Sequence, residues 1–234
     1  MSIDVVDLRD FYAESLGHMT GRLLGARVRA LWPDTRGLRV AGLGYAGPLL
    51  APFAAEAERV LALMPAAQGV LRWPREGANL SALVDETDLP LPDRSIDRLL
   101  VVHAIEASEQ VRPMLREIWR VMADGGRLLI VAPNRSGLWS QREMSPFSHG
   151  QPYSVRQLGT LLRAAPAVER LGERWLGRLG GVVVVEAAKQ LYAGTAARDP
   201  VAPAVVARPR LRVAWSREGT AARDSLDPPA PTAV

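Results

Sequence analysis

The apolar positions of the chain follow two spacings, and the alternation predicts strands separated by helices. Short apolar runs of strand length follow turns rich in glycine, proline or charge, whereas longer stretches repeat an apolar residue every three or four positions. The predicted strands are 38–42, 59–64, 82–84, 97–102, 127–132 and 181–187, and the predicted helices are 5–32, 49–57, 108–123 and one that opens at 154. Apolar strands that alternate with helices form a largely parallel sheet covered on both faces. The pattern therefore predicts a three-layer α/β/α sandwich.

Signals at the helix ends support these bounds. Ser108 has the side chain of an N-cap, the turn at 124–126 ends that helix, and Ser154 with Gln157 forms a capping box. Pro33 ends the long N-terminal helix. We expect this helix to bury one apolar face, formed by Leu16, Met19, Leu23, Leu24, Val28 and Leu31.

Composition narrows the class of protein. A chain of 234 residues with 48% hydrophobic residues is long enough for one α/β domain with a sizeable core. No apolar run approaches the length of a membrane helix, and the N-terminus lacks the basic and apolar regions of a signal peptide. There is no cysteine, which excludes disulfides, thiolate chemistry and cysteine-based zinc sites. We expect a cytoplasmic protein without a membrane span.

Basic residues are numerous, but their distribution does not favour nucleic-acid binding. Lys189 is the only lysine, so 28 of the 29 basic residues are arginines, dispersed among acids for a net charge of +4. A single lysine outside any glycine-rich loop excludes a Walker-type phosphate loop. The three histidines have no metal-ligand spacing, and no G-x-S-x-G elbow is present. We expect no metal site, and hydrolase chemistry has no support.

The C-terminal segment differs in composition from the rest. Six of the 18 prolines lie in the last 35 residues, among alanine, arginine and serine. This segment shows no helical or strand pattern, which predicts a flexible tail over 194–234. The domain then spans 1–193. We expect its residues 1–33 to form a helical segment that lies over the ligand site.

A glycine-rich turn follows the first predicted strand. In the stretch RVAGLGYAGP, Gly42, Gly44 and Gly47 have the spacing G-x-G-x-x-G. Such glycines serve either a tight turn or the close approach of a ligand at the carboxyl edge of a parallel sheet. A dinucleotide site also needs an acid about 20 residues later, where 62–64 has none. The turn alone leaves a simple turn and an adenosyl cofactor as alternatives.

Motifs further along the chain carry a family resemblance. After an acid at Asp85 come the segment 89–97 (LPLPDRSID), a strand, a helix and Gly125-Gly126. The family's course is an acid, L-P-F-P-D-x-S-F-D, a strand, a helix and P-G-G, so Leu91 and Ile96 replace Phe and Asp124 replaces Pro. Over about 35–190 the chain resembles class I S-adenosylmethionine-dependent methyltransferases of the type 11 group. The resemblance implies a mostly parallel, seven-stranded Rossmann-like sheet, S-adenosylmethionine as cofactor, and methyl transfer to an unidentified acceptor.

The resemblance also assigns roles to residues. Asp85 matches the acid that binds the adenine amino group, with Glu86 and Thr87 beside the base, and His103 matches the wall between cofactor and substrate. The implied cofactor-binding residues are Gly42, Leu43, Gly44, Tyr45, Met64, Asp85, Glu86, Thr87 and His103. The implied substrate-side residues are Tyr12, Trp139 and His149, with His103 and His149 as candidate bases. The acceptor would lie between the N-terminal helix and the loop 133–153.

Three departures from the family pattern leave alternatives open. Val40 and Met64 stand where the family has acids in or after the first two strands, and Ala46 stands in place of a third glycine. Loss of a ribose contact predicts weaker cofactor binding. A methyltransferase-like binding or regulatory module without turnover therefore remains an alternative, and a nicotinamide-dependent oxidoreductase is a weaker one. The purely structural alternatives are a turn cap at Asp85, an ordinary strand-end residue at His103, a polar loop residue at His149 and a packing role for Trp139.

Overall fold

The structure is a computed structural model, and it describes residues 3–133, 157, 160, 171–172 (backbone only) and 182–189. The chain divides into two units, Met1–Ala193 and Gly194–Val234, and every described residue lies in the first. The predictions for the loop 133–153 and for the tail fall almost entirely outside the described residues. Gln157 and Thr160 are helical, in keeping with the capping box.

Seven strands form one sheet in the order β3-β2-β1-β4-β5-β7-β6. The first five strands in this order are parallel, and β7 is antiparallel to both β5 and β6. The strands are β1 Arg39–Gly44, β2 Arg59–Pro65, β3 Ser81–Val84, β4 Ile96–Val102, β5 Met122–Pro133, β6 Leu171–Gly172 and β7 Val182–Ala188. The helices are α1 Val5–Ala13, α2 Ser15–Leu31, α3 Gly47–Leu50, extended by a 3-10 turn Ala51–Phe53, and α4 Val111–Val121. The predicted mostly parallel, seven-stranded sheet is confirmed.

Alternate residues of the central strands enter cores on opposite faces of the sheet. On β4, Leu99 and Val101 pack with the buried side of α4, whereas Leu100 and Val102 pack with the buried side of α2. This two-sided burial explains why the strands are apolar at nearly every position. No helix within the described part of the chain is both long and apolar enough to cross a membrane.

The N-terminal segment corrects the sequence prediction. A single helix over 5–32 is wrong, because Glu14 is extended (φ −73°, ψ 160°) and separates α1 from α2. Gly17 lies against α1 so closely that a Cβ atom would be 2.0 Å from the carbonyl oxygen of Phe11. This contact fixes the rotation of α2, whose buried residues are Gly17, Thr20, Leu24 and Val28. The predicted apolar face is therefore wrong in part, since Leu16, Met19 and Leu23 are exposed.

Three further bounds differ from the prediction. The helix predicted at 49–57 is shorter and begins at Gly47, directly after the glycine turn. Ser108 precedes α4 without capping its first residue: its hydroxyl accepts from the N–H of Gln110, the residue before the helix. The strand predicted at 127–132 begins earlier, at Met122, because Met122 pairs with Ile96 ahead of a register shift.

The single lysine closes the end of α4. Lys189 follows β7 and is buried, and its Nζ donates to the carbonyl oxygens of Trp119 (2.9 Å) and Met122 (2.8 Å). The ammonium also lies 5.0 Å from the centre of the Trp119 ring. A cation suits the negative end of a helix, so Lys189 joins the antiparallel edge of the sheet to α4.

Candidate active site

The glycine turn needs its glycines for packing. Gly44 has φ +84°, and a Cβ atom there would lie 2.2 Å from the carbonyl oxygen of Val102. A Cβ atom on Gly42 would lie 2.4 Å from the Cβ of Ala46. The N–H of Tyr45 donates to the oxygen of Val102 (2.9 Å), which holds the turn against the end of β4. Packing thus accounts for both glycines, and their cofactor contact stays a prediction.

Asp85 follows β3 and presents an exposed carboxylate. Its Oδ1 accepts from both the backbone N–H and the hydroxyl of Thr87, each at 2.7 Å. These hydrogen bonds hold the pKa of Asp85 below its usual value, so the group is an anion at neutral pH. No donor among the described residues reaches Oδ2. The turn-capping role is therefore present, and one carboxylate oxygen is still available to a ligand.

The segment after Asp85 is anchored by Arg120 on α4. The guanidinium donates to the carbonyl oxygens of Leu89 (2.9 Å) and Leu91 (2.8 Å), and it pairs with Asp93 at 2.7 Å. Glu117 binds the same guanidinium at 2.8 Å and accepts from the N–H of Leu89 at 3.0 Å. The LPLPD motif is thus held to α4 by two charged residues that the sequence pattern did not single out. The next residue after Asp85, Glu86, accepts a hydrogen bond from the hydroxyl of Ser108 at 3.1 Å.

Met64 at the end of β2 is a buried packing residue. It belongs to a small apolar cluster with Leu8, Phe11 and Tyr45, which covers the carboxyl ends of β1 and β2. Its sulfur accepts from the N–H of Leu71 at 3.2 Å. A cavity of about 330 Å³ opens beside Met64 and Tyr45. The side chain gives this cavity no charged acceptor.

At the end of β4, His103 lies in a buried chain of hydrogen bonds. Its Nδ1 is 2.7 Å from Oε1 of Glu106, and its Nε2 is 2.8 Å from the hydroxyl of Tyr12 on α1. The Gln68 amide donates to the carbonyl oxygen of His103. His103 and Glu106 have no exposed side-chain surface. The structure therefore joins two sequence-predicted residues, Tyr12 and His103, and adds Glu106 and Gln68.

The protonation of Tyr12 and the charge of Glu106 define the direction of the hydrogen bonds in the series Tyr12–His103–Glu106. Burial raises the pKa of the Tyr12 hydroxyl, and the negative charge of Glu106 raises it further. Tyr12 is therefore a donor, and we assign its O–H to Nε2 and the Nδ1–H of His103 to the Glu106 carboxylate. In this arrangement Nε2 is the proton acceptor. Tyr12 also stacks on Tyr45, with ring centres 5.3 Å apart.

Two features of the hydrogen-bonded series Tyr12–His103–Glu106 are energetically unfavourable. His103 has φ +54°, a left-handed conformation that non-glycine residues rarely adopt. Glu106 is buried, and its Oε2 has no hydrogen-bond partner in the described part of the chain. Backbone strain and an unsatisfied buried polar atom each destabilise a fold, and both concentrate at functional sites.

Trp139 and His149 lie outside the described residues, so their proposed roles stay predictions. Within the described ranges, no group of three histidine, aspartate or glutamate side chains could hold a metal ion.

Comparison with known proteins identifies the domain. Residues 40–130 match a family model described as a methyltransferase domain. No curated protein sequence matches the chain.

Solved structures share the fold. A S-adenosylmethionine-dependent methyltransferase from Thermotoga maritima superposes with a TM-score of 0.56 at 17% identity, covering 80% of this chain and 96% of that one. A chain from the complex of a Haloferax volcanii methyltransferase with the Trm112 methyltransferase activator superposes with a TM-score of 0.57 at 15% identity, covering 80% of this chain and 99% of that one. Magnesium protoporphyrin IX methyltransferase from Synechocystis PCC 6803, with bound S-adenosylhomocysteine, superposes with a TM-score of 0.54 at 15% identity, covering 79% of this chain and 93% of that one.

At these identities the structural likeness shows the fold, and the family model shows that residues 40–130 form a methyltransferase domain. The strand order, the glycine turn and the acid after β3 agree with that match. The chain therefore contains a methyltransferase domain with the fold of S-adenosylmethionine-dependent methyltransferases.

Proposed function

We propose that this methyltransferase acts on an acceptor that must lose a proton, and that His103 accepts this proton. The observation that supports the proposal is the buried chain Tyr12–His103–Glu106 at the carboxyl end of β4. A methyltransferase whose acceptor is already a free nucleophile needs no base. A strained histidine beside a buried carboxylate lowers the stability of the fold, and a role in proton transfer would explain why both are present at this edge of the sheet.

The residues present fit S-adenosylmethionine at the adenine end and along the glycine turn. Asp85 offers an exposed anionic oxygen after β3, and the turn at Gly44 brings backbone close to the ends of β1 and β4. Met64 at the ribose position supplies no charged acceptor. We therefore propose that Asp85 is the main polar anchor and that binding is weaker than in relatives with an acid after β2.

When bound, S-adenosylmethionine supplies an activated methyl group. The contribution of the chain is placement and proton transfer. Glu106 orients the His103 ring and stabilises the imidazolium, and Nε2 takes the proton from the acceptor O–H or N–H. The hydroxyl of Tyr12 occupies the position of that acceptor group, at 2.8 Å from Nε2.

An acceptor can reach Nε2 only if Tyr12 withdraws. Tyr12 lies near the end of α1, and the start of α1 is tied to the loop after β2 by a hydrogen bond from the Val5 N–H to the Gln68 oxygen (2.8 Å). We propose that α1 shifts when acceptor binds, so that the acceptor hydroxyl or amine replaces the tyrosine hydroxyl.

The alternative is a S-adenosylmethionine-binding module without turnover. The buried Met64 and the closed position of Tyr12 favour it. The two functions differ in whether S-adenosylhomocysteine forms when acceptors are added.

The test combines cofactor binding with turnover. S-adenosylhomocysteine formation is measured against a panel of phenols, alcohols, amines and carboxylates. Glu106→Gln and His103→Asn should leave cofactor affinity nearly unchanged and lower turnover by about 100-fold or more, the usual contribution of general base catalysis. Asparagine is chosen because it tolerates the positive φ of His103.

The matched control is Glu109→Gln, which removes an exposed glutamate three residues further along. It should retain full turnover. If Glu106→Gln and His103→Asn also retain full turnover, His103 is not the base. If wild-type protein binds the cofactor and methylates nothing in the panel, the binding module is the better description.

A further inference from the structure

A second cavity lies between the N-terminal helices and the glycine turn, and it adjoins the one at Met64, with which it shares Arg9, Tyr45, Pro48 and Arg75. Its volume is about 810 Å³, and α1, α2 and the residues after β1 contribute to its wall. This volume is within the range of small-molecule sites. Tyr12 lines the cavity and also binds His103, so the cavity and the proton-accepting chain share one residue.

Three arginines line this cavity. Arg9, Arg22 and Arg75 come from α1, α2 and the loop between β2 and β3. Arg9 pairs with the neighbouring Asp10 at 2.8 Å. Arg22 and Arg75 have no ion-pair or hydrogen-bond partner in the described part of the chain. Three guanidinium groups around one concave space favour an anion, because each can bind a carboxylate or phosphate through two N–H groups.

The position of Tyr45 supports this arrangement. Burial raises the pKa of its hydroxyl, the positive charges of Arg75 and Arg9 oppose that rise, and the negative charge of Asp10 has a smaller effect in the raising direction. Both guanidinium groups therefore act on the same part of the cavity wall. Their fields add there, which increases the attraction for an anion.

The α2 wall of the cavity has glycines at two positions where a Cβ atom would fit. Gly21 and Gly25, spaced by four residues, both line the cavity. A Cβ atom on Gly21 would meet only the Tyr12 ring, at 3.5 Å, and one on Gly25 only Leu49, at 3.9 Å, which are ordinary contacts. A glycine inside a helix costs about 1 kcal/mol relative to alanine. The sequence thus gives up helix stability at two positions whose only visible consequence is a more open cavity.

We infer that this cavity binds an organic anion, a carboxylate or phosphate on an apolar body, and that this anion is the methyl acceptor. The first part stands on the cavity, its cations and its bare helix wall. The second part rests on the proposed function: the anionic group binds the arginines, and a hydroxyl or amine on the same molecule displaces Tyr12 from His103 and receives the methyl group.

Calorimetric titration with benzoate, phenyl phosphate and uncharged benzamide tests the binding site. The two anions should bind, benzamide should not, and added salt should weaken anion binding. Arg22→Gln combined with Arg75→Gln should weaken anion binding by about tenfold or more. Arg112→Gln combined with Arg116→Gln removes the same charge from α4 and should have no effect.

Gly25→Leu supplies a second variant that leaves the charges intact. It should fill the cavity and weaken anion binding while the melting temperature is kept or raised. Equal binding of benzamide and the anions, an equal loss in the α4 control, or undiminished binding by Gly25→Leu would each overturn the inference.

The binding result is independent of catalysis. If the anions bind as expected but no S-adenosylhomocysteine forms from aromatic carboxylates or phosphates that also carry a hydroxyl or amine, such as hydroxybenzoates and aminobenzoates in excess, the site remains and its assignment to the acceptor fails. If the protein does not bind S-adenosylmethionine at all, the proposed function fails while the anion titration still decides the first part.

Discussion

Replacing Gly44 with alanine separates two costs of the glycine turn. At φ +84° any L side chain is strained, and the new Cβ would also lie 2.2 Å from the Val102 oxygen and 3.0 Å from the Cβ of Ala104. Gly37 is the matched control, since it has φ +68° and no atom within 4 Å of its Cβ position. Gly37→Ala carries only the backbone strain, of about 1–2 kcal/mol.

Gly44→Ala adds the displacement of backbone at the end of β4, for a total of about 3–5 kcal/mol. For a chain of this length each kcal/mol lowers the melting temperature by about 2–4 °C. Gly37→Ala should therefore lower it by a few degrees, and Gly44→Ala by about 6 °C or more. The assay is thermal unfolding followed by circular dichroism, with urea unfolding as a check. Equal losses in the two variants would refute the close packing of the turn against β4.

Two further predictions concern α4 and its contacts. Lys189→Met keeps the apolar stem beside Trp119 but leaves the Trp119 and Met122 carbonyls without their donor. It should lower the free energy of unfolding, measured in urea, by about 2–4 kcal/mol. A loss below about 0.5 kcal/mol would show that water replaces the ammonium. Hydrogen bonds from Arg120 hold the pKa of Glu117 below its ordinary value of 4.5, so the stability from this pair is present above that pH and is lost as the pH falls through the lower, folded value. Between about pH 5 and pH 3, Glu117→Gln should therefore lose less stability than the wild type, and parallel acid profiles would contradict the pairing.

The fold was predictable because burial on both faces leaves a strong signal in the strands. Leu99 to Val102 are apolar without interruption, and such a run between turn signals indicates a central parallel strand. The strand β6, only two residues long, was not predicted, because so short a segment has no periodicity.

The rotation of α2 was not predictable from apolar spacing. Leu16, Met19 and Leu23 have a good helical repeat, yet the contact of Gly17 with Phe11 turns a face of small residues inward. Close approach of two backbones selects glycine, and hydrophobicity patterns give glycine little weight. A break at Glu14, a good helix former, also left no mark in the sequence.

The candidate site was only half visible in the sequence. Tyr12 and His103 were proposed through the family resemblance, and the structure joins them by one hydrogen bond. Glu106 was missed, although its H-x-x-E spacing from His103 places it one turn further along. Gln68 and Arg120 could not be found this way, because Gln68 binds His103 across 35 positions and Arg120 binds the LPLPD segment across 27 or more.

Calorimetric titration with S-adenosylmethionine, S-adenosylhomocysteine and NAD tests the cofactor assignment most directly. The first two should bind at micromolar affinity or weaker, and NAD should not bind. Asp85→Ala should weaken binding by about tenfold or more, because it removes a charged acceptor from the adenine end. The exposed Asp88→Ala is the control and should change nothing, while Met64→Asp should tighten binding by restoring an acceptor for the ribose. Binding of NAD in place of S-adenosylmethionine, or equal affinity of wild type and Asp85→Ala, would contradict the assignment.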